Sequence, residues 1–222
     1  MTDYQLNNID PEDIEDLLAK VETSFGIKFV GDELVYITTF GQLCDYIAEK
    51  IQLVNSDDCT SQQAFYKLRH AISSILLLDD KTISPDILLA NVLPRQARRL
   101  RTKKLENHLG FKLNILRPPH WVTRSFAIVL VVSLVELFFN WQTGLLGLIV
   151  SVGGLWFAYE IGNELDLKTV GQVAEKMTRE RYLESRRNSK TYNKKEIKQI
   201  LTDWFRGSFD LAKSKLTRGA KL

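Results

Sequence analysis

The middle of the chain is dominated by two apolar stretches, SFAIVLVVSLVELFF (residues 125–139) and GLLGLIVSVGGLWFAY (residues 144–159). A helix that crosses a membrane requires about 20 mostly apolar residues, and about 17 suffice. Each stretch reaches that length when its flanking residues are counted. The sequence therefore predicts a transmembrane hairpin over residues 121–162. The alternative is a buried helical hairpin in a soluble protein, which apolar runs of this length disfavour.

The residues around the two stretches predict how the hairpin is oriented. Basic residues precede the first stretch at Arg117 and Arg124 and return at Lys168, whereas the turn at residues 140–143 has none. The positive-inside rule then places both flanking regions in the cytoplasm and predicts a two-span protein of the cytoplasmic (inner) membrane with both termini inside. Aromatic residues typical of interfacial anchors lie near the ends of the spans: Trp121, Trp141, Trp156 and Tyr159.

Small residues recur on one helical face of the second stretch and predict close helix packing. They are Gly144, Gly147, Ser151, Gly154 and Ala158. The same face would also serve contacts between copies of the chain, so the stoichiometry stays open. Glu136 is the one ionisable residue inside an apolar run, and it lies about 7 Å from Trp141 along a helix. We expect it to reach the outer interface rather than to line a pore.

An internal repeat relates the two sides of the chain. Residues 21–29 (VETSFGIKF) match residues 105–113 (LENHLGFKL) at an offset of 84. Residues 37–43 (ITTFGQL) match residues 167–173 (LKTVGQV) at an offset of 130. The extra 46 residues are about the length of the apolar hairpin with its flanks. The second copy therefore reads as the first copy with a hairpin inserted in a loop, which two spans permit because they return the chain to the same side.

The hydrophobic periodicity outside the hairpin is helical, with no useful strand pattern, so the predicted fold class is all-α with small helical bundles. We divide the chain into an acidic unit (1–54), the first part of a basic unit (55–120), the hairpin (121–162), the last helix of the basic unit (163–178) and a basic tail (179–222). The tail carries an amphipathic helix that includes Trp204 and Phe205, which we expect to lie on the inner leaflet or to pack on the second copy.

The repeated residues resemble the acyl carrier protein family, a four-helix fold that binds phosphopantetheine. The stretch LLAKVETSFGIKF (17–29) resembles the end of the family's second helix, and ITTFGQLCDYIAEKI (37–51) resembles its fourth helix. In the second copy, residues 64–94 resemble the first helix and the long loop, and residues 165–177 resemble the fourth helix. The first copy lacks a first helix ahead of Pro11, and we consider residues 63–78 as a permuted substitute.

The family attaches its prosthetic group to a serine at the start of the second helix. The equivalent positions here hold Pro11 and Arg95, neither of which has a hydroxyl group. The resemblance therefore implies two degenerate copies with no phosphopantetheine, and we expect no cofactor.

Charge separates the two copies. Residues 1–60 carry a net charge of −10 and residues 61–124 carry +8. The acidic copy predicts a surface for a protein partner: Asp10, Glu12, Asp13, Glu15 and Asp16. The basic copy predicts a surface for anionic lipid headgroups or for an acidic partner. Its residues are Arg95, Arg98, Arg99, Arg101, Lys103 and Lys104.

No other residues point to a reaction. His70, His108 and His120 have no ligand-like spacing with Cys44 or Cys59, so we expect neither a metal site nor a catalytic site, and not an enzyme. Nucleic-acid binding is disfavoured because the basic tail follows a membrane segment. The sequence favours a membrane-anchored, non-catalytic adaptor that presents degenerate carrier-like domains for protein–protein interaction. The alternatives are an accessory carrier to a membrane acyltransferase or lipid synthase, and a structural subunit of a membrane or secretion complex.

Overall fold

The structure is a computed structural model that describes residues 10–31, 33–209, 211–212 and 216–221. These residues are mostly helical, so the predicted all-α fold class is confirmed. The helices are α1 (Pro11–Phe25), α2 (Phe40–Lys50), α3 (Thr60–Leu76), α4 (Leu89–Val92), α5 (Arg98–Leu109), α6 (His120–Glu136), α7 (Trp141–Glu160), α8 (Val170–Glu180), α9 (Tyr182–Ser185) and α10 (Lys194–Phe209). Residues 1–9 of the predicted acidic unit and residues 210, 213–215 and 222 of the predicted tail lie outside the described residues.

Four strands of two residues each form two small pairings. β1 (Val54–Asn55) pairs in parallel with β4 (Thr191–Tyr192). β2 (Leu116–Arg117) pairs antiparallel with β3 (Glu164–Leu165), with Leu116 opposite Leu165. The second pairing joins the chain segments that lead into α6 and out of α7.

The chain divides into two compact units. The first unit comprises residues 1–68 and 174–222, and the second comprises residues 69–173. The boundaries fall inside α3 and α8. α1, α2 and residues 179–222 therefore lie in the same unit, although the sequence predicts them as separate regions.

The first helix of the first unit has its start and its end encoded locally. Asp10 is the N-cap, and its carboxylate accepts a hydrogen bond of 3.1 Å from the backbone N–H of Glu12. Proline is favoured at the first helical position because its missing N–H has no helical acceptor there. The helix ends at Gly26, whose φ of 63° is left-handed and suits a residue without a Cβ.

The core of the first unit is closed by α10. This helix packs on α2 and on α1. Phe205 is fully buried and meets the ring of Phe40 edge to face at 5.1 Å between centroids. Trp204 is only 7% exposed. The interpretation that places the aromatic face of this helix on the inner leaflet is therefore wrong, because that face lies inside the protein. The main partners of α10 are α1 and α2, and its Glu196 also accepts a hydrogen bond of 2.8 Å from the N–H of Thr60 at the start of α3.

The second unit buries its own apolar side chains. The long helix α5 contributes two of them, and the short helix α4 and the segment between α5 and α6 contribute most of the others. Buried residues of this unit include Leu89, Leu93, Leu105, Leu109, Phe111, Leu113, Ile115 and Val170.

The α6–α7 pair differs from every other helix pair in what it exposes. The two helices pack against each other, yet their outer surface is apolar and exposed, as at Phe138 (90%) and Ile149 (63%). Among the described residues, α7 is the one helix long and apolar enough to cross a membrane, and 17% of its apolar segment is buried. The 17 residues of α6 are similarly apolar. The prediction of a membrane span therefore holds by length and composition for α7.

The same local bonds recur in the two units at the predicted offset of 84. The Glu22 carboxylate accepts a hydrogen bond from the backbone N–H of Phe29, and the Glu106 carboxylate accepts one from the N–H of Leu113 at 2.8 Å. In each case the glutamate lies near the end of a helix and holds the chain that leaves it. Both helices end at a glycine with positive φ: Gly26 and Gly110.

A second set of bonds recurs at the offset of 130. Thr39 caps α2 by accepting a hydrogen bond from the N–H of Gln42, at 3.3 Å. Thr169 accepts the equivalent bond from Gln172 at 3.2 Å at the start of α8. Both glutamine side chains bond back to the backbone ahead of the helix. This is the reciprocal arrangement of a capping box.

The next glycine in each helix contacts a distant chain segment in the same way. The N–H of Gly41 donates to the carbonyl oxygen of Arg218 at 2.9 Å, and the N–H of Gly171 donates to that of Pro85 at 2.8 Å. A Cβ on Gly41 would lie 2.6 Å from the Arg218 oxygen, and one on Gly171 would lie 3.1 Å from the Pro85 oxygen. Residues 218–221 thus lie against α2 as residues 85–88 lie against α8.

α3 precedes residues 85–88 and α10 precedes residues 218–221, and these two helices have the same pattern of buried positions. In α3 the buried apolar residues are Ala64, Leu68, Ala71 and Ile72. In α10 the residues 133 positions later are Ile197, Leu201, Trp204 and Phe205, and all are buried. The same offset relates buried Ile83 to buried Leu216 in the loops that follow. By this correspondence, α10 and the loop that follows it are the first unit's equivalents of α3 and the loop that follows α3.

Candidate interaction surfaces

The predicted acidic surface lies along the exposed side of α1. Its five carboxylates are all exposed, and among the described residues none of them forms an ion pair. Asp10 also caps the helix. The other four, Glu12, Asp13, Glu15 and Asp16, crowd negative charge into the first two turns of the helix, where the helix dipole favours it. We call these five residues the α1 acidic face.

The predicted basic cluster is largely committed to the second unit itself. Arg98 is buried, and its Nε donates to the carbonyl oxygen of Leu93 at 3.0 Å. Arg95 pairs with Glu164 at 2.9 Å, and Arg101 donates to the carbonyl oxygen of Val92 at 2.9 Å. These three arginines tie the start of α5 to α4 and to the segment after α7.

Arg95 is nevertheless 74% exposed, and the remaining basic side chains are exposed as well. Arg99 makes a long contact of 3.4 Å with the carbonyl oxygen of Glu160. Lys103 and Lys104 are exposed, and within the described residues neither forms an ion pair. The structure therefore separates the cluster into a structural half around Arg98 and an accessible half on α5.

The two positions that the carrier resemblance predicts as equivalents of the attachment serine lie at or near the starts of α1 and α5. Pro11 is the first residue of α1, and its side chain lies outside the described atoms. Arg95 lies three residues ahead of α5, and its guanidinium is held by Glu164. Neither position offers a hydroxyl nucleophile for a phosphopantetheine ester.

The first unit contains a buried polar network that no pattern in the sequence predicts. The guanidinium of Arg186 is fully buried, and it lies 3.7 Å from the carboxylate of Glu196. That carboxylate accepts hydrogen bonds from Thr60 Oγ1 at 2.5 Å and from the hydroxyl of Tyr182 at 3.0 Å. Arg186 also donates to Thr60 and to the carbonyl oxygen of Asp58.

The network joins three separated parts of the chain, and burial explains the ionisation state of its members. Burial raises the pKa of the Tyr182 phenol, so the hydroxyl stays protonated as a donor. A buried charge requires a partner, and Glu196 supplies it. Arg186 is one of several arginines and lysines in a basic segment, so its sequence context does not distinguish it from its exposed neighbours.

The two cysteines differ in their surroundings. Cys44 is buried on the core side of α2, and burial raises the pKa of its thiol to about 12. Such a thiol is a poor nucleophile and acts as a small apolar side chain. Cys59 is exposed just ahead of α3.

The histidines are brought together in part. The rings of His70 and His108 lie 6.1 Å apart, and Nδ1 of His70 is 3.9 Å from a carboxylate oxygen of Asp80. The described residues contain no group of three or more side chains that would hold a metal ion. His120 lies elsewhere in the second unit, at the start of α6.

The small residues of α7 lie where α6 comes closest. Gly144, Ser151 and Ala158 are buried. A Cβ on Gly147 would lie 2.1 Å from Oγ of Ser133, and one on Gly154 would lie 2.2 Å from the ring of Phe126. Without side chains at these positions, the backbone of α7 approaches α6 closely, which is the packing role that small residues have between apolar helices.

Comparison of the chain with protein-family models, with curated proteins and with solved structures gives no match. The α1 acidic face and Lys103 and Lys104 of α5 are accessible and form no ion pair among the described residues. Arg186 and Glu196 form a buried ion pair at 3.7 Å, and Nη2 of Arg186 has no hydrogen-bond partner among the described residues. We therefore take the α1 acidic face and the exposed lysines of α5 as candidate interaction surfaces.

Proposed function

We propose that the protein is a membrane-anchored, non-catalytic adaptor that presents two degenerate carrier-like units at the cytoplasmic face of the inner membrane. The observation that carries this proposal is the exposed apolar surface of the α6–α7 pair. Helices that are apolar all round are buried in a large protein core or in a membrane. These two helices contact each other and leave the rest of their surface uncovered, so lipid is the surrounding that suits them.

The β2–β3 pairing supports two spans rather than one. It joins Arg117, just ahead of α6, to Glu164, just after α7. Both segments must then lie on the same side of a membrane, so the number of spans between them is even. If α7 crosses, α6 crosses as well. At 1.5 Å per residue α7 extends about 30 Å and α6 about 25 Å, close to the thickness of a bilayer core.

The recurring bonds support a repeat in which the first unit is circularly permuted. The second copy runs in the order α3, α5, α8. The first copy runs in the order α1, α2, α10, with its first helix at the far end of the chain. The helix that substitutes for the missing first helix is thus α10, in place of the residues 63–78 that we considered from the sequence.

A docking role suits these units better than a carrier role. The equivalents of the attachment serine are Pro11 and Arg95, which cannot form the phosphoester. Carrier proteins present an acidic second helix to their partners, and the α1 acidic face would retain that property without the prosthetic group. None of the five carboxylates forms an ion pair within the described residues, so their negative charge is available to a partner.

The test combines membrane fractionation with affinity capture of the full chain from native membranes in mild detergent. We expect the chain in the membrane fraction and reproducible capture of a cytoplasmic or membrane protein. The triple charge reversal Asp13→Lys, Glu15→Lys and Asp16→Lys should abolish capture without changing fractionation. A control reversal at Glu49 and Asp57, two exposed carboxylates away from α1, should leave capture intact.

Two results would overturn the proposal. Capture that survives the α1 reversal would show that another surface binds the partner. An intact mass that includes a phosphopantetheine arm would show that the protein is a working carrier with an attachment site at another residue.

A further inference from the structure

The second unit contains a cleft of about 600 Å³ at the base of the α6–α7 pair. One wall is formed by the segment that leads into α6, and the other by the last turn of α7. The β2–β3 pairing holds the two walls together. A Cβ on Gly162 would lie 2.6 Å from the carbonyl carbon of Arg117, so the backbones touch there and leave the cleft a fixed floor. In the proposed orientation this cleft lies at the level of lipid headgroups.

The cleft contains a hydrogen-bond donor in need of an acceptor. The guanidinium of Arg117 pairs through Nη1 with Asp166 at 3.0 Å. Its Nε is buried and has no hydrogen-bond partner among the described residues. The Arg117 side chain is 39% exposed, so its remaining N–H groups are available to donate to an anionic oxygen of a ligand. His120, on the same wall, adds a second donor at the mouth of the cleft.

The charges of the cleft favour a ligand that carries both signs. Arg117 contributes one positive charge, whereas Asp166 and Glu160 contribute two negative charges. A purely anionic headgroup would be repelled by the two carboxylates. Trp156 and Tyr159 line the opposite wall with exposed rings, and aromatic faces attract ammonium groups.

We propose that this cleft binds the headgroup of a zwitterionic phospholipid. The phosphate would be bound by Arg117 and His120, and the ammonium group would lie between the ring of Trp156 and the carboxylate of Glu160. The acyl chains would follow the exposed apolar face that continues from Trp156 along α7. The inference rests on the proposed membrane function, because only a chain embedded in lipid presents this cleft to a phospholipid.

The test uses the full chain, purified in detergent and stripped of lipid. It is incubated with equal amounts of phosphatidylethanolamine, phosphatidylcholine and phosphatidylglycerol of matched acyl chains, and the retained lipid is read by native mass spectrometry. We expect one phospholipid per chain, with the two zwitterionic lipids retained in preference to phosphatidylglycerol. Trp156→Ala should reduce retention about threefold, the effect of losing an exposed cation–π contact.

The matched control is Trp121→Ala. Trp121 and Trp156 are interfacial tryptophans with nearly equal exposure, 71% and 70%, but only Trp156 lines the cleft. The control should retain lipid like the parent chain. Equal loss in both variants, equal retention of phosphatidylglycerol, or no retained lipid would overturn the inference. Membrane fractionation of the same chain separates this failure from a failure of the proposed function, since a chain absent from the membrane fraction would refute both.

Discussion

The two units of this protein use the same local bonds and differ in the order of their helices. In both, a glutamate near the end of a helix binds the departing backbone, and a threonine–glutamine pair caps a later helix. In the second unit these helices follow one another along the chain, apart from the α6–α7 insertion. In the first unit the helix that closes the core comes from the opposite end of the chain.

The comparison teaches that local bonds and chain order are separable. A cap or a helix-end hydrogen bond involves residues within about seven positions, so it forms wherever that short sequence occurs. Packing requires only that the helices meet. The entropy of closing a loop grows slowly, by about 0.6 kcal/mol for each doubling of length, so α10 can be supplied from far along the chain. Four sets of substitutions test this comparison.

The largest effect is expected from Phe205→Ala in the first unit. Phe205 is fully buried against Phe40, and its truncation should lower the free energy of unfolding by about 4 kcal/mol. Hydrogen exchange should accelerate in α1 and α2 and stay unchanged in α5. The equivalent change in the second unit, Ile72→Ala, should accelerate exchange in α5 instead. The reverse pattern would contradict the assignment of α10 to the first unit.

The buried network of the first unit predicts a slightly smaller effect. Glu196→Ala removes the partner of the buried Arg186 guanidinium, and we expect a loss of about 3 kcal/mol in urea denaturation. Glu184→Ala, which removes an exposed pair with Arg181, should cost no more than about 0.5 kcal/mol. Similar losses in both variants would mean that Arg186 is solvated in the folded protein.

Substitutions at two glycines of α7 test how the inserted α6–α7 pair packs. A side chain on Gly147 would collide with Ser133, whereas a Cβ on Gly153 has no neighbour within 4 Å. Gly147→Val should therefore destabilise the α6–α7 pair by about 2 kcal/mol, the usual cost of overpacking, and Gly153→Val should be neutral. The measurement is the thermal unfolding midpoint of each variant in detergent. A neutral Gly147→Val would show that the helices pack through a different face.

The smallest effect concerns an exposed ion pair of the first unit. A hydrogen bond from Lys50 lowers the pKa of Glu33 from 4.5 to about 2. A depressed pKa means that the stabilisation is fully present above pH 4.5 and is lost as the pH falls through about 2. Glu33→Gln should therefore flatten the decline in stability over that range. Denaturation curves at pH 5 and pH 3 should differ less for the variant than for the parent chain; an unchanged difference would refute the pairing.

Sequence patterns anticipated the parts of the structure that depend on neighbouring residues. The helical periodicity outside the hairpin predicts the all-α class, and the two offsets of the repeat predict the matching helix ends at Gly26 and Gly110. The face of small residues on α7 likewise lies where α6 approaches. Each of these features depends on a spacing of a few residues, which a sequence displays directly.

Features that depend on distant residues were not predicted. Arg186, Glu196, Tyr182 and Thr60 meet only because α3, α9 and α10 converge, and nothing in the sequence around any one of them indicates the others. The run of basic residues predicts one surface, but Arg98 is buried and bonded to the backbone. A run of basic residues does not reveal which members face inward.

The sequence alone determined the helical class, the helix ends and the length of apolar chain available to a membrane, because these follow from residue type and short spacing. Only the tertiary structure decided which helix completes the first unit, which arginines are accessible, and where the exposed apolar surface remains. Those properties depend on what each face packs against, and a chain has many ways to satisfy the same periodicity until its helices meet.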